Sequence, residues 1–269
     1  MKKKNRICIY SLIVMGIILI LITGCKKDKS SSMHTPVITW AKPAAIHYGV
    51  NLSQTQLNAS ADVPGTFVYT PEINTKLDLG YNQDLKVVFT PTDAIHYETI
   101  SKTVQIDVII AIGDSYKGGK VAYIFVRGDP GMVSEEIHGL IAAPTDLSTT
   151  EGIQWFNGTN TITGATATAL GTGSDNTKTI VDNQGNGNYA ANACSNLVIG
   201  GFDDWFLPSR DELKKLYLNN IAIGGFVKKY YWTSSETDKL TVRIIDFNDG
   251  SEPSTDKVNT ERVRAIRYF

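Results

Sequence analysis

The sequence predicts an all-β sandwich followed by a separate α+β domain. Three observations carry this reading. Between residues 36 and 110, short β-branched and aromatic runs alternate with turn residues, and no helical period of useful length occurs. Beyond residue 113, strand-like runs bracket a helix with a strong start signal. Between the two lies Gly113-Asp114-Ser115-Tyr116-Lys117-Gly118-Gly119, a boundary written in turn residues and preceded by a short apolar junction at 109–112. A chain of 269 residues also suits two domains, at roughly 100–200 residues each.

Composition narrows the classes. Hydrophobic content of 42% and charged content of 20% fit ordered globular domains rather than disorder. Lys2, Lys3, Lys4 and Arg6 fall in the first 25 residues, which hold no acid, so the remainder carries 22 basic against 27 acidic residues, net −5. That acidic balance argues against nucleic-acid binding, which needs a basic footprint. The cysteines are Cys8, Cys25 and Cys194. Cys8 lies in the leader and Cys25 has a separate fate, so Cys194 stands alone and no internal disulfide forms. One Cys and the dispersed His34, His47, His96 and His138 do not assemble a zinc site. No metal and no cofactor is implied.

Residues 1–25 read as a signal peptide: a basic start, then the apolar run Ile7 to Ile22, shorter than the roughly 20 residues a membrane span needs. Its ending, Leu21-Ile22-Thr23-Gly24-Cys25, resembles a bacterial lipobox. The resemblance implies that Cys25 is acylated and becomes the first mature residue, anchoring the protein to a membrane. The alternative is an uncleaved anchor. Residues 26–35 are polar and read as a flexible tether. Lys26 rather than Asp after the Cys points, by resemblance to bacterial sorting patterns, to the outer membrane or cell surface.

Within 36–110, strands are predicted at 37–40, 65–70, 85–90 and 99–108. The run from Ile38-Thr39-Trp40 through Pro64-Gly65-Thr66-Phe67 and Phe89-Thr90-Pro91-Thr92-Asp93 to Tyr97 resembles bacterial immunoglobulin-like repeats. The resemblance implies an immunoglobulin-like spacer, with adhesion through its loops as the alternative.

Within 113–269, strands are predicted at 120–126, 138–143, 231–234, 241–247 and 262–269, and helices over 175–181 and 189–197. The strongest local signal is Asp204-Trp205-Phe206-Leu207-Pro208-Ser209-Arg210-Asp211-Glu212-Leu213. Ser209 and Glu212 form a capping box: the Ser hydroxyl accepts from the N–H three residues on, and the Glu carboxylate accepts from the Ser N–H. Leu213, Leu216 and Tyr217 then give one apolar stripe, on which Trp155-Phe156 and Tyr230-Tyr231-Trp232 are expected to pack. Asn248-Asp249-Gly250 fits a hairpin bend. The final strand is expected to pair with the first strand of this domain.

In order along the chain, Gly118-Gly119-Lys120-Val121, His138-Gly139-Leu140-Ile141-Ala142-Ala143, Gly171-Thr172-Gly173, Asp204-Trp205-Phe206-Leu207-Pro208, Trp232-Thr233-Ser234-Ser235-Glu236, Phe247 with Gly250, and Arg262-Val263-Arg264-Ala265-Ile266-Arg267 resemble the Lcl C-terminal domain family. The resemblance spans 113–269. It implies a C-type-lectin-like fold related to the sulfatase-modifying enzymes, and a role in binding sulfated polysaccharide. This domain departs from that case with 15 basic against 19 acidic residues, although Arg262, Arg264 and Arg267 could form a local basic patch.

Enzyme readings are weak. Cys194 precedes the capped helix and reads as a small buried hydrophobe. There is no Gly-x-Ser-x-Gly elbow, and His138 is the sole histidine after residue 112. Gly171-Thr172-Gly173-Ser174 lacks the ending of a phosphate loop. Glu135-Glu136 and Asp203-Asp204 are adjacent and face different ways. Asp246, Asn248, Asp249 and Glu252 offer oxygens for Ca²⁺ without EF-hand spacing, and a solvated turn explains them better. Trp205 and Trp232 read as core. The expected function is non-catalytic binding of a glycan or protein at the cell surface, with a ligandless scaffold as the alternative and an enzyme on the sulfatase-modifying fold as a third. The ligand site is expected between Trp232 and Gly250, at Glu236, Arg243 and Asn248. Arg243 offers planar donors beside an apolar face, and Asn248 offers a donor and an acceptor. The competing reading pairs Arg243 with Glu236 or Asp246.

Overall fold

The computed structural model describes residues 32–147 and 151–269. The signal peptide, Cys25 and most of the tether lie outside the described residues. The described chain is β-rich. Its strands form five sheets, and every helix among the described residues falls between Gly173 and Ile223.

The first strands are β1 (Ile38–Thr39), β2 (Ile46–His47), β3 (Ser60–Ala61), β4 (Gly65–Thr70), β5 (Gly80–Pro91) and β6 (Ile100–Ile109). β4, β5 and β6 form an antiparallel meander, and β2 joins the outer side of β6 in parallel. β1 and β3 form a separate antiparallel ribbon. The alternation that predicts β5 is visible in its burial: Leu85, Val87 and Phe89 point inward while Lys86 and Thr90 face solvent. Each buried side chain of this size contributes about 1.5–3 kcal/mol. With Trp40, Leu52, Ile106 and Val108 they make a core drawn entirely from residues 38–108. β2 and β3 escape sequence reading because two residues carry no period.

The chain continues through β7 (Ser115–Tyr116), β8 (Gly119–Ile124), β9 (Gly139–Ala142), β10 (Ile153–Gln154), α1 (Gly173–Gln184), α2 (Ala190–Ser195), α3 (Arg210–Leu218), α4 (Asn220–Ile223), β11 (Tyr230–Glu236), β12 (Thr241–Asp246), β13 (Ser254–Asp256), β14 (Thr260–Glu261) and β15 (Ile266–Tyr268). The predicted capping box starts α3: the Ser209 N–H donates to Glu212 Oε2 at 2.8 Å, and the Glu212 N–H donates to Ser209 Oγ at 3.4 Å. The Asn248-Asp249-Gly250 bend joins β12 to β13 as an antiparallel pair.

The antiparallel pair β11–β12 sorts the interior into two cores. Trp232, Val242 and Ile244 face one, with Trp155, Phe156, Ile180, Tyr189, Trp205 and Cys194. Tyr231, Ile245 and Phe247 face the other, with Leu213, Leu216, Phe206 and Ile266. The period-two alternation of a strand buried on both sides produces this division. It corrects one expectation: Tyr231 packs in the core of the α3 stripe, whereas Trp155-Phe156 and Trp232 belong to the core across the sheet.

Two further expectations are corrected. β15 pairs with β9, the second strand of its sheet, in the order β15-β9-β8-β7. The other edge of β8 is already taken by β7 through the turn at Lys117-Gly118. Nor is 262–269 one strand. β14 pairs with β10, β15 with β9, and the chain between them turns Arg264 inward.

Candidate functional site

The predicted ligand residues do not form one site. β11 runs on through Ser235 to Glu236, so Glu236 is inside the domain, 3% exposed. Its carboxylate pairs with the fully buried Lys257. Both its oxygens accept from the Thr163 N–H at 3.0 Å, and Oε2 accepts from the Gly164 N–H at 2.9 Å. Lys257 Nζ also donates to Thr161 O at 3.0 Å and Lys239 O at 3.1 Å, and sits 4.8 Å from the Trp155 ring centre. Glu236 is therefore a buried clamp on the 161–164 loop and has no free face for a ligand. This corrects its assignment as a surface ligand group. It also removes Glu236 as a partner for Arg243, which is half-buried at the β12–β13 register opposite Ser254. Asn248 is exposed, its N–H held by Asp246 Oδ1 at 2.8 Å.

Asn248 does line a cleft. The turn after β12, the segment before β11 and the β10–β14 ribbon enclose about 520 Å³ between Lys228, Lys229 and Arg262 and the acids Glu151, Asp246 and Glu261, with Tyr230 in the wall at 40% exposure. The walls are set by backbone. The Trp232 N–H donates to Arg262 O at 2.9 Å, the Arg262 N–H to Tyr230 O at 3.0 Å, and the Phe247 N–H to Lys229 O at 3.0 Å. Gly152 packs against Glu261 at φ +79°, where a Cβ would lie 2.7 Å from Glu261 O, so only glycine lets the two segments close. Burial raises the Glu261 carboxyl above its ordinary range, with Lys229 opposing. The arrangement offers cations for carboxylates, carboxylates for amines and hydroxyls, and an aromatic side chain for stacking. Sequence reasoning missed Lys228, Lys229, Tyr230 and Glu261. The basic pair directly before an aromatic run is the one local signal that pointed to them.

The arginine patch envisaged at 262, 264 and 267 does not form. Arg264 is 1% exposed, pairing with Asp146 and donating to Ala143 O at 3.1 Å and Gly225 O at 2.5 Å. Arg267 is 6% exposed and holds Asp204 through Nε at 2.6 Å and Nη2 at 2.9 Å, pulling the Asp204 carboxyl below its ordinary range. Only Arg262 reaches the cleft. A strand alternates its side chains, but the irregular stretch after β14 buries consecutive positions.

The remaining reactive groups are tied down. Cys194 is buried and its thiol is pushed far up by desolvation. His138 lies between Phe269 O at 3.0 Å and Glu136 Oε2 at 2.7 Å. Asp249 Oδ1 accepts from the Ser251 N–H at 2.8 Å, and Glu252 faces Lys214 at 2.8 Å. Trp205 and Trp232 are core residues, with indole N–H groups satisfied by Phe202 O and Ile153 O. Glu212 is pushed up by burial while Tyr268 and the Ser209 and Gly171 N–H groups pull it down.

No protein family and no curated protein matches the chain. Among solved structures, a fimbrial protein from Bacteroides ovatus ATCC 8483 is similar at 11% identity and a TM-score of 0.40, over 86% of this chain and 70% of that one. No helix among the described residues is long and apolar enough to cross a membrane.

Proposed function

We propose that this chain is a lipid-anchored cell-surface protein that binds a glycan or protein ligand, without catalysis, in the cleft around Tyr230. The anchor is Cys25, acylated at the lipobox and tethered through 26–35. Residues 36–110 are an immunoglobulin-like spacer; a single core between a four-stranded sheet and a two-stranded ribbon supports that reading. Residues 113–269 are the binding head, an Lcl C-terminal-like domain of C-type-lectin-like fold; its seven motifs in order support that assignment.

The observation that carries the binding reading is Tyr230, an exposed aromatic set among three cations and three carboxylates in one concave wall. A large apolar ring left in a charged cleft is the composition of a recognition surface. The test is a glycan and cell-surface binding screen with the mature protein, repeated with Tyr230→Ala, Lys229→Ala and Asn248→Ala. Loss of binding at unchanged melting temperature supports the cleft. No binding across the screen favours a scaffold. Mass spectrometry of the membrane fraction tests the anchor: an unmodified Cys25 behind an intact leader removes it.

A further inference from the structure

The four-stranded sheet ends on a strand whose outer side pairs with nothing among the described residues. β4 pairs with β5 alone, from Gly65 opposite Pro91 to Thr70 opposite Lys86, in a register without a bulge. The Thr92 N–H donates to Pro64 O at 2.9 Å. Hydrogen-bonded positions alternate along an antiparallel pair, so Thr66, Val68 and Thr70 turn their backbone groups to β5. Gly65, Phe67 and Tyr69 turn theirs outward, where no hydrogen bond meets them among the described residues.

An edge of this kind is a template for another strand, and proteins blunt it with charge, proline, a bulge or brevity. β4 has none of these. Its 6 residues, Gly-Thr-Phe-Val-Tyr-Thr, are uncharged, and Pro64 and Pro71 lie just outside it. The other edges of the described sheets are short, covered or charged. β2, β7, β13 and β15 hold two or three residues, as do the strands of both ribbons. β11 is covered by bonds from Trp232, Ser234 and Glu236 to Arg262 O, Pro208 O and Ala165 O. β6 has a free length beyond β2, but Lys102 and Asp107 stand in it.

We propose that β4 pairs antiparallel with β4 of a second copy of this chain, about a two-fold axis at Phe67. Phe67 then exchanges its N–H and C=O with Phe67 of the other copy, and Gly65 exchanges with Tyr69 in both directions. Every outward backbone group from 65 to 69 finds a partner. On the outer face Thr66 and Val68 are exposed, Val68 at 63%. Thr66 of each copy stands opposite Val68 of the other, an uncharged β-branched pair. The edge is complementary to itself, as an isologous contact requires. Charge raises no obstacle. Lys86, opposite Thr70 on β5, would lie about 25 Å from its symmetry mate at ordinary strand spacing and rise, well beyond the screening length. The contact lies in the first domain and does not depend on the Tyr230 cleft.

The test follows the mature protein by sedimentation equilibrium from about 5 µM to 0.5 mM, with amide hydrogen exchange read by NMR at both ends of that range. A monomer–dimer equilibrium is expected, with a dissociation constant between about 10 µM and 1 mM for a contact one strand wide. Exchange at Gly65, Phe67 and Tyr69 should slow as concentration rises, while Thr66, Val68 and Thr70 are protected throughout. Two double variants set the register. Thr66→Lys/Val68→Lys places lysine opposite lysine across the axis and should weaken the dimer at least about tenfold. Thr66→Lys/Val68→Glu places each lysine opposite a glutamate of the other copy and should restore pairing. Both positions are exposed, so neither variant should move the melting temperature of the monomer. The proposal is overturned by a monomer at every concentration, by a dimer that persists in the lysine–lysine variant, or by unchanged exchange at Gly65, Phe67 and Tyr69. An open series of larger oligomers also overturns it, because that marks β4 pairing with a different edge such as β6. A lysine–glutamate variant that stays monomeric overturns the register at Phe67.

Discussion

Replacing Lys257 by methionine should be among the most damaging single changes in the domain, and removing Glu236 as well should not repair it. Both side chains are fully buried. Methionine has nearly the volume of lysine, so packing against Trp155 is largely kept and the effect isolates the charge. With the ammonium gone, the Glu236 carboxylate remains in the interior with only the Thr163 and Gly164 N–H groups around it. Breaking a buried pair from one side costs about 3–5 kcal/mol. For a protein of this size, 1 kcal/mol moves the melting temperature by about 2–4 °C, so the melting temperature should fall by roughly 6–20 °C. The double variant Glu236→Leu/Lys257→Met discriminates further. Exchange of a buried ion pair for apolar groups is often neutral. Here the pair also holds four backbone groups: the N–H groups of Thr163 and Gly164, and the carbonyls of Thr161 and Lys239. Each loses a partner, at about 1–3 kcal/mol where it stays buried. The double variant should therefore remain well below the parent. Thermal unfolding followed by near-ultraviolet circular dichroism, which reports Trp155, reads both changes. A double variant as stable as the parent would refute the claim that the pair clamps the 161–164 loop.

Three other outcomes are expected. Ser209→Ala should cost about 1 kcal/mol through the lost cap of α3, and somewhat more because Ser209 Oγ also donates to Ala169 O; urea titration measures it. Asp204→Asn should lower the melting temperature at neutral pH and progressively less in acid. The Arg267 guanidinium depresses the Asp204 carboxyl, so its stabilising effect is present above the ordinary carboxylate range and fades as pH falls through the depressed value; a variant whose deficit is the same at every pH contradicts that linkage. Cys194 should resist alkylation in the native protein and react on unfolding, because the thiol is buried and held protonated; peptide mapping after a short iodoacetamide pulse reads it.

Local patterns carried their information into the structure intact. The Ser209–Glu212 box caps α3, β4 spans the predicted 65–70, and the predicted 85–90 lies within β5. These features depend on neighbours within about four residues, where side-chain spacing and backbone geometry are directly coupled. Among the described residues, the helix-free run from 32 to 110 and the helices confined to 173–223 follow from the same local rules.

What failed to transfer was the choice of partner. Alternation along β12 places Arg243 and Ile245 on one side, but says nothing of the second core that buries Val242 and Ile244 on the other. Glu236 reads as a polar loop residue next to Thr237 and Asp238. It becomes a buried clamp because Lys257, twenty-one residues on, enters the same interior. Lys228, Lys229, Glu151, Asp246 and Glu261 acquire a common cleft only when β14 pairs with β10 and Arg262 docks beside Tyr230. A charge has no preferred partner until chain closure brings one within a few ångströms. Sequence therefore determined where the longer strands, the α3 cap and the Asn248-Asp249-Gly250 turn lie, and the tertiary structure alone decided which polar groups are buried with each other and which line an open cleft.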